Sequence, residues 1–77
     1  MGNIPKNIEE AFYEGNLSQG INYKINDSVF VLKGELSGES GAVISIESLE
    51  PEPTYLVELG NGGDVVIAQS NLKLLDS

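Results

Sequence analysis

Cysteine, histidine, tryptophan and arginine are all absent from this 77-residue chain, and each absence removes a class of chemistry. Without cysteine there are no disulfides and no thiolate metal sites, and the redox compartment leaves no trace. Without histidine or cysteine no Ser–His or Cys–His nucleophile pair can be assembled, and no imidazole can ligate a metal. Twelve acidic residues leave a paired-carboxylate hydrolase formally open. Such a site needs a concavity that raises one pKa, and a domain this small fills its interior with side chains. No Asp-x-Asp-x-Asp-Gly run for calcium occurs. The composition predicts a protein that is not an enzyme and carries no cofactor or metal.

Long apolar runs are missing too. No stretch approaches the 18 residues of a membrane span, and the N-terminus lacks the basic-then-apolar plan of a secretory leader. The expectation is a soluble, cytoplasmic protein without a membrane partner. The aromatics are only Phe12, Tyr13, Tyr23, Phe30 and Tyr55. That is too few for a polyproline groove or a methyl-lysine cage, each of which needs several rings on one surface.

What is abundant is negative charge. Twelve acidic residues face four lysines, for a formal net charge of -8. A nucleic-acid binder draws affinity from Lys and Arg that displace counterions at phosphates, so this chain is expected to repel DNA and RNA over most of its surface. The same field attracts a protein with a basic surface and speeds the encounter at low salt. The 40% hydrophobic content is enough for one modest core, near the lower size limit for folding without staples.

The N-terminal segment reads as a short helix over residues 3–15. Pro5 suits the first helical turn, Asn3 or Ile4 the cap, and Gly15 the position just past the end. Ile4, Ile8, Ala11 and Phe12 recur at helical spacing and make one apolar stripe. A helix this short needs a surface to pack on. Asn16 to Gly20 is rich in turn formers, and Ile21, Tyr23 and Ile25 then alternate as a weak lead-in to a strand.

From Asp27 to Glu47 the chain reads strand, glycine-punctuated loop, strand. Val29 and Val31 fall on one face of a strand over 28–33, which leaves Phe30 and Leu32 on the other, with the N-terminal helix as their expected cover. Gly34, Gly38 and Gly41 let the backbone turn, and Val43, Ile44 and Ile46 resume a β-branched run over 42–48. No Gly-Lys-Ser/Thr occurs in the loop and a strand follows it, so a phosphate cradle is not indicated. Leu49-Glu50-Pro51-Glu52-Pro53 must be a loop, because proline cannot sit in a central strand. Thr54 to Leu59 alternates cleanly, Gly60-Asn61-Gly62-Gly63-Asp64 supplies a hairpin turn, and Val65 to Ala68 returns. Gln69-Ser70-Asn71 reads as one 3₁₀-like turn before a closing strand at Leu72 to Leu75.

The spacing Val29-x-Val31-x-x-Gly34-x-x-x-Gly38-x-x-Gly41-x-Val43 resembles the KOW motif of small SH3-like barrels in ribosomal proteins and bacterial transcription-elongation factors. The resemblance covers residues 29–43 directly, and the later strand spacing extends it to the C-terminal part of the chain. It implies a mainly β fold: a five-stranded, KOW-type SH3-like barrel over residues 21–77, with a short N-terminal α-helix and its connection over 1–20, in a single domain. One departure is Asn26-Asp27, where such sequences often carry Gly-Asp; asparagine tolerates the left-handed conformation.

Two functional readings follow. The first is a non-catalytic, acidic protein-interaction module for a basic partner. One concrete form is a bacterial immunity-type protein that neutralises a basic toxin, since Pro51-Glu-Pro-Thr-Tyr-Leu-Val-Glu58 resembles a segment of small all-β immunity proteins. Its contact is expected from Glu47, Glu50, Glu52 and Glu58, with Tyr55 as an aromatic anchor. The second, implied by the KOW resemblance, is a ribosome- or transcription-associated module that touches RNA or ribosomal protein through the Gly34–Gly41 loop, with Lys33, Gly34, Gly38 and Gly41 as its site.

Overall fold

The computed structural model describes residues 4–18 and 20–75. The first element, α1 (Lys6–Tyr13), is shorter at both ends than the expected helix over 3–15. Pro5 occupies the N-cap, and its carbonyl accepts hydrogen bonds from the Ile8 and Glu9 N–H groups at 3.1 and 3.0 Å. The sequence places the cap at Asn3 or Ile4 and Pro5 inside the first turn; the cap instead falls at Pro5, one residue past Ile4, and Asn3 lies outside the described residues. At the far end Glu14 and Gly15 form the stop rather than a further turn. Gly15 adopts φ +85°, and the N–H groups of Gly15 and Asn16 donate to the carbonyls of Phe12 and Ala11 at 3.2 and 2.8 Å. This paired closure satisfies carbonyls that the helix leaves open.

Five strands follow: β1 (Ser28–Val31), β2 (Ser40–Ser48), β3 (Thr54–Leu59), β4 (Asp64–Ala68) and β5 (Leu72–Leu74), with a 3₁₀ turn at Gln69–Asn71 before the last. They form one antiparallel sheet in the order β4-β3-β2-β1-β5, so the first and last strands pair and β4 and β5 are its edges. The fold is therefore mainly β, with one short helix. Alternation places Val29 and Val31 in the core, as the sequence predicts, and their partners there are Val43, Ile46, Tyr55, Val57, Leu59, Ile67 and Leu72. Each strand thus contributes at least one buried apolar side chain.

The glycines of the β1–β2 segment divide by cause. Gly34 and Gly38 turn the chain, at φ +91° and +92°. Gly41 does not turn: it sits inside β2, which begins at Ser40, two residues earlier than the apolar run suggests. A Cβ at Gly41 would lie 2.2 Å from the backbone oxygen of Glu58 on β3, so the residue is small because two strands meet there. The β1 strand in turn ends at Val31, before the expected Lys33, because Lys33 is drawn off by Asn71. Its N–H donates to Asn71 Oδ1 at 2.7 Å, and its carbonyl accepts from Asn71 Nδ2 at 3.1 Å.

β2 is interrupted twice in its pairing with β3, between Val43 and Ser45 and between Ile46 and Ser48. The first interruption lets Val43 and Ile46, three positions apart, both face inward. β1 pairs with β2 only as far as Ala42, and hydrogen bonds between Asn26, Asp27 and Val43 extend the contact by one residue. Asn26 stands at φ +72°, taking the left-handed conformation expected of glycine there. Beyond Val43 the strand loses its β1 neighbour, and α1 lies against β2.

The helix packs on the interior. The Phe12 ring is 1% exposed and stacks on Tyr55 at 6.2 Å, within the same cluster as Val29 and Val31. The expectation that α1 covers the outer face of β1 is corrected: Leu32 stays 40% exposed, and the helical stripe joins the inward-facing cluster. The reason is burial, because a Phe ring gains more in the interior than on a half-solvated strand face. Ile21 and Tyr23, expected to lead into a strand, are buried without forming one. Tyr23 donates its hydroxyl to the Leu72 carbonyl at 2.9 Å and meets Tyr55 edge-on at 5.4 Å. Gln69 ties the same region together: its Oε1 accepts from Asn22 N–H and from the Tyr55 hydroxyl, and its Nε2 donates to the Gly20 carbonyl. No helix among the described residues is long and apolar enough to cross a membrane.

Candidate functional site

Where α1 meets the second half of β2, burial of Phe12 fixes what its neighbour can do. The next residue on a helix points about 100° away, so Tyr13 is directed to the surface, with 44% of it exposed. Its ring is held edge-on against Phe12 at 5.0 Å. Glu9 lies one turn back on the same helical face. From the sheet side, Ser45 and Glu47 share a strand face, and the Ser45 hydroxyl donates to the Glu47 carboxylate. The Tyr13 phenol is pushed above its ordinary pKa by burial first and then by the negative fields of Glu9 and Glu47; a hydrogen bond with Ser45 works the other way. One aromatic ring, two carboxylates and a hydroxyl therefore share one surface edge. Chemically, such an edge accepts a cation: the ring face attracts an ammonium or guanidinium, and the carboxylates supply charge-assisted acceptors.

The residues expected at the interaction site are divided by the fold. Glu47 belongs to this edge, and Glu50 is exposed in the loop after β2. Glu52 is half-buried and already engaged: its two oxygens accept from the Ser70 N–H at 2.8 Å and the Ser70 hydroxyl at 3.0 Å. Glu58 lies at the other end of β3, about 13 Å along the strand from Thr54, where it stands opposite Asp64 of β4. Tyr55 is corrected from an aromatic anchor to a core residue. It is 0% exposed, its hydroxyl is bonded to Gln69, and burial pushes its phenol up to about 12. Its inward direction follows from strand alternation with Val57 and Leu59, which are buried beside it.

Tyr13 was the residue that sequence reasoning passed over. The signal was present, since the stripe Ile4, Ile8, Ala11 and Phe12 leaves Tyr13 outside its arc. Of the alternative loop site, Lys33, Gly34 and Gly38 are exposed, whereas Gly41 is built into β2. Glu35 and Glu39 are exposed in the same loop. The sole ion pair among the described residues joins Lys24 to Asp27 at 2.9 Å, so no described lysine is ion-paired with Glu9 or Glu47. No protein-family model, no curated protein and no solved structure matches this chain.

Proposed function

We propose that this chain is a non-catalytic interaction module that binds a basic protein through the edge formed by Tyr13, Glu9 and Glu47. The observation that carries this reading is the half-exposed Tyr13 ring, fixed by Phe12 and set beside two carboxylates that make no ion pair among the described residues. A ring held in place loses little entropy on binding, and it supplies the aromatic anchor expected at the centre of an interface. The formal charge of -8 then steers a basic partner toward it. We read the sheet as an SH3-like barrel of KOW type left open between β4 and β5, a reading supported by the pairing of β1 with β5 and by the 3₁₀ turn before β5. Within this class, neutralisation of a basic toxin in the manner of an immunity protein fits the charge and the absence of cysteine and histidine. An RNA-binding role is less well supported, because Lys33 is flanked in its loop by Glu35 and Glu39.

The test is affinity capture from the native host with the whole chain as bait, at low and at 0.5 M salt. The expected result is a basic protein retained at low salt and released at high salt. Reversing both carboxylates (Glu9→Lys with Glu47→Lys) should weaken its binding on the order of tenfold or more. Capture of ribosomes or RNA, or retention indifferent to the double reversal, overturns the reading.

A further inference from the structure

β4 ends the sheet as an edge strand. Its hydrogen-bonding phase is fixed at both ends: Leu59 N–H donates to the Gly63 carbonyl at 2.8 Å, and Gln69 N–H to the Pro53 carbonyl at 2.8 Å. Antiparallel pairing alternates, so Val65 and Ile67 bond to β3, and the N–H and C=O groups of Asp64, Val66 and Ala68 point away from the sheet. Among the described residues β4 has no strand on that side, and Val66 at its centre is 57% exposed. The devices that usually blunt such an edge (lysine, proline, a bulge) are missing from Asp64-Val-Val-Ile-Ala. Alongside it runs a groove of about 360 Å³, floored by Val31 and Ile67 and walled on the far side by Gly34, Glu35 and Leu36.

We propose that β4 takes up an extended, lysine- or arginine-bearing segment of the basic partner as an added strand lying in this groove. The inference rests on the interaction reading above and names how the partner is held. Backbone groups of Asp64, Val66 and Ala68 supply the pairing, and Val31 and Leu36 receive the apolar side chains of alternate residues. Charge selects the occupant. Asp64 stands at one end of the edge and Glu35 on the wall, two carboxylates against the single ammonium of Lys33, which also lines the groove. Two copies of a chain carrying -8 repel one another, so a cationic strand is favoured over a second β4.

The whole chain, labelled for amide NMR, is titrated with the peptide acetyl-Lys-Val-Thr-Val-Thr-Lys-amide. Shifts are expected at Asp64, Val66, Ala68, Gly34 and Leu36. Replacing both lysines by glutamate, or methylating the alternate amide nitrogens that would face β4, should each weaken binding at least tenfold. Val66→Pro removes no existing ladder bond, since that N–H faces the groove, and should abolish the shifts. The methylated peptide keeps the test intact should the proline variant unfold. Shifts elsewhere, indifference to methylation, or no binding at millimolar peptide overturns the inference. So does concentration dependence of the same amides without peptide, which would mean a second copy occupies the edge. If Val66→Pro spares capture of a basic protein that the Glu9 and Glu47 reversals abolish, strand addition fails while the interaction reading stands.

Discussion

Replacing Gly41 by alanine probes the close approach of the β3 backbone to β2. The new Cβ would lie 2.2 Å from Glu58 O and 2.9 Å from Glu58 C, and real Cβ contacts under 3.0 Å are essentially never seen. Either β2 and β3 separate by nearly an ångström or the pairing around Val43 and Val57 breaks. The obstacle is main chain held in the ladder, so it cannot swing aside as a side chain would. Overpacking of this kind costs about 1–3 kcal/mol, and one ladder bond lost adds roughly 1 kcal/mol, for a total of about 2–4 kcal/mol. A domain of this length has on the order of 4–12 kcal/mol in hand, so the melting temperature should drop by roughly 8–32 °C. Gly38→Ala is the control. It has φ +92° and nothing within 4 Å of its Cβ, so only the left-handed backbone opposes it. That penalty is about 1–2 kcal/mol, partly offset by the stiffer unfolded chain. Urea unfolding followed by far-ultraviolet circular dichroism measures both. If Gly41→Ala lies within 1 kcal/mol of the parent, or if Gly38→Ala costs as much, the close-approach account is wrong.

Phe12→Ala should lose about 3–5 kcal/mol, because a fully buried ring leaves a cavity; a loss under 1 kcal/mol in the same urea assay would show that α1 is not seated in the core. Gln69→Leu removes the acceptor for the Tyr55 hydroxyl and the Asn22 N–H and should cost about 1–3 kcal/mol. Adding Tyr55→Phe to it should recover part of that loss, and strict additivity of the two changes would dissociate the residues. Tyr55 also makes stability depend on alkaline pH. Its folded phenol is raised from 10.0 to about 12, so the neutral form is favoured by folding. That contribution is fully present below pH 10 and is lost as pH climbs through 12. Absorbance at 295 nm should therefore show one tyrosine ionising last, near pH 12, together with loss of the native circular dichroism. Ionisation of all three near pH 10 in a still-folded chain would contradict its burial.

Alternation and turn chemistry were legible where they act locally. Thr54 to Leu59 and the 3₁₀ turn at Gln69–Asn71 stand where their residues place them, and Asn26 adopts the left-handed conformation that its position asked for. What escaped depends on which elements meet. Gly41 looks like a turn residue in sequence, and only the approach of Glu58 from β3 reveals its true cause. Tyr55 sits amid carboxylates in the chain and so looked like a surface anchor, but the alternation that buries Val57 buries it as well. Glu58 is close to Glu52 in sequence, yet an extended strand carries it to the opposite end of the hairpin. Tyr13 became visible only once Phe12 was seated, because a helix shows its outward residues when its inward ones are fixed.

The ring contacts that start at Tyr23 run through Tyr55 and Phe12 and surface at Tyr13. This column behaves like a tent pole: the outermost ring stands only as firmly as the foot beneath it. Loosening Tyr23 would let Tyr13 sway and, under the proposed function, blunt recognition at a distance. With no tryptophan to mask them, the tyrosines also make the column its own optical gauge, so slackening at the foot can be watched at the tip.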